Sequence, residues 1–277
     1  MCLSTALAKS DKKLYMLQKI LLLWAAFTAA SQLGAQPLEP LSTNVQWGIS
    51  AGLNQYKEPG LMQLQGPEAG VHARSTHWAE MPNAQLEGDI LLGKQKYTSV
   101  KSGSMNGVTN LETRWRALTP VFSDTATNTS LLTGLAVHTL WNDLRGTSTF
   151  NGTQYGGYQR SAMQLWLPLR WVGGDAWELD AGLLLYGRHL SKLSDVGPSY
   201  SDAVNTQRRG QYAQLTLQVP MKDGKVIKPF VRYTHLADSD TVVIRGPQNV
   251  CPSGFCTVTE PMSHRWQIGA IWEFNAP

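Results

Sequence analysis

From about residue 45 onward the chain alternates apolar and polar side chains with period two, and no stretch keeps the 3.6-residue period of an amphipathic helix. This restricts the fold to sheets. Seven segments carry the pattern strongly. In 45–53, Val45, Trp47, Ile49, Ala51 and Leu53 oppose Gln46, Gly48, Ser50 and Gly52. Segments 84–92, 111–119, 159–171, 177–185, 212–219 and 264–274 repeat it, and 69–78, 131–141 and 227–237 do so more faintly. Together they make ten strands.

Alternation alone fits a soluble antiparallel sheet as well as a barrel in a membrane. Two features favour the barrel. Links alternate in length: 55–68, 98–108, 142–157, 190–207 and 238–262 are long and rich in Gly, Ser, Asn and Asp. Those at 79–83, 122–130, 173–175 and 220–225 are shorter and carry turn signals such as Gly173-Gly174-Asp175. Long loops at one end and tight turns at the other are the habit of outer-membrane barrels. The second feature is an aromatic girdle. Trp78, Trp115, Trp141, Trp171, Trp177, Trp266 and Trp272 fall mainly towards strand ends on the apolar face, where an indole ring suits a lipid–water boundary. Strands in lipid must pair every backbone N–H and C=O, so the sheet has to close. The predicted fold is all-β: a ten-stranded antiparallel up-and-down transmembrane β-barrel over 45–274. An even strand count places both termini on the short-turn, periplasmic side and the long loops outside.

Residues 1–35 read as a signal peptide. Lys19 precedes the apolar stretch Ile20–Ala26, and small residues follow at Ala29, Ala30, Ser31, Gly34 and Ala35. Met16 offers a second start, and 36–44 form a short N-terminal segment before the barrel. Of 24 basic and 20 acidic residues, four lysines and Asp11 lie in that leader, so the remainder is almost neutral. No basic stripe is left for nucleic acid. Of the three cysteines, Cys2 lies in the leader, while Cys251 and Cys256 sit close together in CPSGFC. A disulfide in an oxidising compartment suits that pair, with free thiols as the alternative.

Several stretches resemble a family of exported, porin-like outer-membrane β-barrel proteins of bacteria. They are Tyr56-Lys57-Glu58-Pro59-Gly60, Leu86-Glu87-Gly88 with Tyr97 and Ser102-Gly103, Glu112 to Arg116, and Trp177-Glu178-Leu179. Leu190 to Val196 and Lys228-Pro229-Phe230-Val231-Arg232-Tyr233 complete the set. The resemblance covers nearly all of the chain after the leader. It implies the fold and a bacterial outer-membrane location, and it brings no catalytic or ligand residues.

The polar faces carry the chemistry. Alternation points Glu87, Asp89, Glu112, Glu178, Asp180 and Glu273 into the lumen, together with Arg114, Arg116, Arg160, Arg170, Arg188, Arg232 and Arg265. A barrel this small is nearly filled by side chains, and guanidinium–carboxylate pairs should occlude it. A single-sign ring would have argued for ion selection. The expected role is therefore structural or surface-interacting, with a narrow small-solute channel as the alternative. A third reading is a hydrolase at the loop rim, where His189, Asp195, His235, Asp238 and Asp240 fall, although the paired-aspartate pattern of surface proteases is missing. No enzyme activity is expected. His72 and His77 are five apart on one strand, so they face opposite ways and cannot share a metal; neither metal nor cofactor is expected. The partners expected are outer-membrane lipid and lipopolysaccharide, with the barrel-assembly machinery during biogenesis.

Overall fold

A computed structural model describes residues 45–76, 84–100, 103–146, 157–221 and 225–275. The expected signal peptide, Trp78 and His77 lie outside them. The strands are β1 (Val45–Glu58), β2 (Met62–Thr76), β3 (Gln85–Ser99), β4 (Gly103–Asp124), β5 (Thr129–Asp143), β6 (Gln159–Gly173) and β7 (Trp177–Ser191). They continue as β8 (Ala203–Gln207), β9 (Gly210–Leu217), β10 (Val219–Pro220), β11 (Val226–Leu236), β12 (Thr241–Arg245), β13 (Phe255–Thr259) and β14 (Ser263–Asn275).

Strands β1 to β7 pair in succession, all antiparallel. Then β7 pairs with β9, β9 with β11, and β11 with β14. Strand β14 returns to β1, in register from His264 opposite Lys57 to Asn275 opposite Gln46. The sheet is a closed ten-stranded barrel, with β10 a short extension of β9. Closure leaves no long edge unpaired. Both chain ends of the barrel lie at one end, here the terminal end, with the turns after β4 and β6. The opposite, loop end carries the β7–β9 and β11–β14 connections.

The sense of the alternation separates the two architectures. In β1, Trp47, Ile49 and Leu53 face outward at 49%, 54% and 65% exposure, while Ser50, Asn54 and Glu58 are buried inside. In β3, Leu86, Ile90 and Leu92 face outward, and Glu87 and Asp89 face inward. A sandwich in water would do the reverse. An apolar exterior around a charged interior is the outer-membrane arrangement.

Three expectations need correction. Residues 55–68 and 98–108 are mostly strand and not long links. Strands β1 and β2 stay paired up to Glu58 and Met62, leaving the turn Pro59-Gly60-Leu61. There Leu61 N–H donates to Glu58 O at 3.0 Å, and Gly60 takes the left-handed φ of 75°. The outward residues Gln55, Lys57 and Gln65 of these strands, like Lys94 and Lys96 of β3, are polar because the strands run past the apolar belt. Secondly, Trp115 lies mid-strand and not at a strand end. Its ring covers Gly88, where a Cβ would meet the indole at 2.5 Å, an aromatic shielding a glycine across the pair. Thirdly, Arg188 faces outward. Leu165 pairs with Tyr186 but Trp166 with Leu184, so Leu185 is an extra residue in β7. That bulge reverses the parity of the rest of the strand: His189 turns in and Arg188 out.

The other tryptophans frame the belt. Trp171 and Trp177 meet edge-to-face at 5.4 Å beside the turn at Gly174. Trp272 is exposed towards the same end, as is Trp47, while Trp266 and Trp141 lie towards the loop end.

Candidate functional site: a salt-bridged lumen

The inward faces of β2, β3, β4, β6 and β7 bring long charged side chains from opposite walls to the middle of the barrel. Glu87 is their hub. It pairs with Arg74 Nε at 2.6 Å, with Arg116 Nε at 2.9 Å, and with Arg170. Arg74 also donates two hydrogen bonds to Glu178, at 2.8 and 2.9 Å. Arg116 reaches Asp180 at 2.8 Å and Asp89 at 3.1 Å, and Arg170 reaches Asp180 at 3.0 Å. Lys228 closes the network on Glu273 at 2.6 Å, and His72 lies 2.7 Å from Asp89 and 3.3 Å from Glu273. Such two-pronged, charge-assisted bonds are the strong class. They also cross-link strands remote in sequence: Arg74 and Glu178 are 104 residues apart.

Towards the middle the chemistry changes. Arg114 donates to Glu112 at 2.8 Å, and Arg265 reaches Glu112 at 2.6 Å and Asn54 at 2.9 Å. Gln267 bonds Glu68 at 2.7 Å and also Arg114. Beside them lies an aromatic cluster. Trp166 is fully buried inside the barrel, its ring edge-on to Tyr212 at 5.3 Å and tilted over His138 at 5.6 Å. Arg232 stacks 4.2 Å above the Tyr212 ring and meets Gln214 at 3.3 Å and His138 at 3.4 Å. Among the described residues it has no carboxylate within ion-pair reach. Tyr212 in turn donates to Asp180 at 2.8 Å, which ties this layer to the one below. A cavity of about 40 Å³ opens here, lined by Arg232, His138, Glu112, Arg265 and Gln164 among others. That is room for a few waters.

At the loop end, Arg160 joins Glu58 at 2.8 Å and Glu260, beside the Tyr56 hydroxyl at 3.3 Å. An apolar cap of Tyr56, Leu64, Tyr97, Val108 and Leu144 packs there. Glu260 belongs to the connection after β13, so this contact fastens the last loop to the barrel. Burial pushes its carboxyl up, but Arg160, with His189 helping, holds it below the usual range. The loop carries the β12–β13 hairpin, and Cys251 and Cys256 are disulfide-bonded in its tip with Cα atoms 5.2 Å apart.

Of the lumen residues expected from alternation, Glu87, Asp89, Glu112, Arg114, Arg116, Arg160, Arg170, Glu178, Asp180, Arg232 and Glu273 are buried inside, and Arg265 lies in the same network. Arg188 does not. Arg74, His72, Lys228, Glu68, Glu58 and Glu260 complete it and went unrecognised, as did Trp166 and Tyr212. Simple parity from His72 and Arg232 would have found Arg74 and Lys228. Glu58 and Glu68 belong to strand where the sequence predicts a link, and Glu260 reaches the lumen from a true loop.

Each of the rim residues considered for hydrolysis has a partner of its own. Asp238 accepts from Met262 N–H at 2.6 Å, and Asp240 from Thr206 N–H at 2.6 Å. Asp195 pairs with Lys192 at 3.3 Å. His189 is inside near Glu260 at 3.8 Å. His235 faces outward against His264, ring centroids 4.9 Å apart.

No protein-family model matches the chain, and no curated protein sequence does either. Solved structures similar in arrangement include the outer membrane protease OmpT from Escherichia coli. That match is at 9% identity and TM-score 0.45, over 86% of this chain and 99% of that one. The translocator domain of the autotransporter NalP from Neisseria meningitidis matches at 12% identity and TM-score 0.40, over 95% and 98%. Neisserial surface protein A matches at 9% and 0.33, over 83% and 95%. The fold rests on the coordinates themselves: ten strands closed on one another, an apolar belt outside and a charged lumen inside. The chain folds as a closed ten-stranded antiparallel β-barrel with the apolar exterior and polar interior of a membrane-spanning barrel.

Proposed function

We propose that this protein is a closed, non-conducting barrel, a structural platform that holds its loop end outside the cell for surface interaction. In this reading both termini face the periplasm. One observation carries it. Three guanidinium groups, of Arg74, Arg116 and Arg170, converge on Glu87 and branch to Glu178 and Asp180 on the facing wall. A conducting path would have to part charge pairs that are already desolvated, and leaving one such partner unpaired costs several kcal/mol. The disulfide-clipped hairpin fastened by Glu260 and Arg160 supports a preorganised outward surface. No catalytic role is part of this reading: Asp238 accepts from the loop amide of Met262, and Asp240 from the Thr206 amide of β8.

The test is single-channel recording of the refolded protein in a planar bilayer. Silence with folded protein inserted is the expected result. Steady unitary openings would overturn the closed-barrel reading in favour of a narrow solute channel, with Arg116 and Arg170 as the first filter residues to replace.

A further inference from the structure

The exterior of the barrel is not symmetric from end to end. Apart from Asp124 in a turn at the terminal end, the charged residues facing outward from the described barrel strands are Lys57, Lys94, Lys96, Asp143 and Arg188. All lie towards the loop end, and the one acid, Asp143, is taken by Arg145 at 2.7 Å. Three of the four cations and two histidines gather on one side. The register sets His235, His264, Lys57, Gln63 and Thr98 side by side across β11, β14, β1, β2 and β3. One step below run Tyr233, Trp266, Gln55, Gln65 and Lys96, and below those the surface is apolar with Val231, Ile268 and Leu53.

We propose that this arc is a binding site for the phosphate groups of lipopolysaccharide in the outer leaflet. The inference goes beyond the closed-barrel reading and does not depend on it. Its height is set by Tyr233 and Trp266, whose rings meet at 4.6 Å and mark the edge of the lipid belt. Groups one step above such a girdle lie level with headgroups. Its sign is uniform: Lys57 and Lys96 have no carboxylate in ion-pair reach among the described residues, and Lys94 donates only to the Thr109 hydroxyl at 2.7 Å. His264 Nδ1 is taken by the Tyr233 hydroxyl at 2.6 Å, and His235 stacks on the His264 ring with its Nδ1 buried, so the two imidazoles would offer their Nε2 edges. Its width fits. Strands lie about 4.8 Å apart and two residues rise about 6.8 Å, so Lys57 and Lys96, two strands and one step apart, spring from backbone positions about 12 Å from each other. That span suits two phosphates of one headgroup better than a single ion. An open concavity of about 300 Å³, walled by Lys57, Met62, Gln63, Thr98 and Val100 and bordered by Glu58, whose carboxylate is engaged by Arg160 and Tyr56, adjoins the arc and would receive headgroup sugar. A soluble protein partner has no need of cations bordering lipid, and among the described strand residues the opposite girdle of Trp171, Trp177 and Trp272 carries no such row.

The test titrates the full barrel, in neutral detergent, with bis-phosphorylated lipid A, with the same lipid stripped of phosphate, and with phosphatidylglycerol. Only phosphorylated lipid A should bind tightly and raise the thermal midpoint. A lysine at an anionic lipid surface is worth about fivefold in affinity, so K57Q/K96Q should weaken binding about 25-fold. R188Q, on another part of the wall, should change nothing. H235Q/H264Q gives an independent loss, and the single lysine variants serve where the double variant does not migrate as a folded barrel. Unchanged affinity in K57Q/K96Q, or equal binding of dephosphorylated lipid A, would overturn the site. Equal binding of phosphatidylglycerol would overturn its assignment to lipopolysaccharide.

Discussion

Two layers of one lumen satisfy buried arginines in different ways. In the layer nearer the terminal end, Arg74, Arg116 and Arg170 share Glu87, Glu178 and Asp180, and each cation touches at least two acids. One layer up, Arg232 is as deeply buried but rests on an aromatic ring, an amide and an imidazole. The first arrangement is cooperative and tied to every wall it touches. The second is a local contact beside a small cavity. Buried charge is therefore not one quantity in this molecule: its value depends on whether removal strands a partner. The largest expected effect follows. Glu87→Leu leaves three guanidinium groups competing for the remaining acids. It should cost roughly 3–5 kcal/mol, read as a lower denaturant midpoint in lipid vesicles. A loss under 1 kcal/mol would mean that the hub is redundant.

The aromatic layer should respond to volume instead. Trp166→Ala removes the largest fully buried side chain next to the existing cavity and should cost about 3 kcal/mol. The same variant should introduce conductance if Trp166, and not the ion pairs, is what seals the lumen. Arg232→Met sharpens the contrast. With no carboxylate to strand and a methionine to fill the space, its unfolding free energy should change by less than about 1 kcal/mol, and a gain is allowed. A loss comparable to that of Glu87→Leu would dissolve the distinction between the layers.

Strand number, closure and the polar lumen were legible because period two survives on every wall and because Trp and Gly mark the ends. What the sequence hid is local. Arg188 was misplaced because one bulged residue, Leu185, reverses parity, and bulges leave no compositional mark. Residues 55–68 read as a link because outward Gln55, Lys57 and Gln65 are polar where a strand leaves lipid, and such a reading leaves Glu58 and Glu68 out of the lumen. Tyr212 and Trp166 were hidden by the assumption that inward means charged.

The latch at the loop end yields a smaller, pH-dependent effect. Glu260 has a folded pKa below its unfolded value, so its contribution is complete above about pH 4.3 and fades as the pH falls towards the folded value. Limited proteolysis of the last loop should therefore accelerate in acid while the barrel remains folded, and E260Q should show the fast rate already at pH 7. If wild-type cleavage is flat from pH 7 to about pH 3, the loop is held by something other than Arg160.

The smallest effect should come from the disulfide. Cys251 and Cys256 are only five apart in sequence and both belong to the β12–β13 hairpin, whose strands pair with each other and meet the barrel sheet through side-chain bonds such as Asn205 of β8 to Val258 O at 3.0 Å. Closing so short a loop is worth about 2 kcal/mol to the hairpin itself by loop-closure entropy, but none of its residues belongs to the sheet that closes, so little of this should reach the barrel. C251S/C256S should leave the barrel's thermal midpoint within about 1 °C, since a change under 0.5 kcal/mol shifts a domain of this size by little more. It should nonetheless quicken cleavage of the hairpin tip. A fall of several degrees would show that the hairpin stabilises the barrel through Glu260 and Arg160, making the loop part of the fold and not an appendage to it.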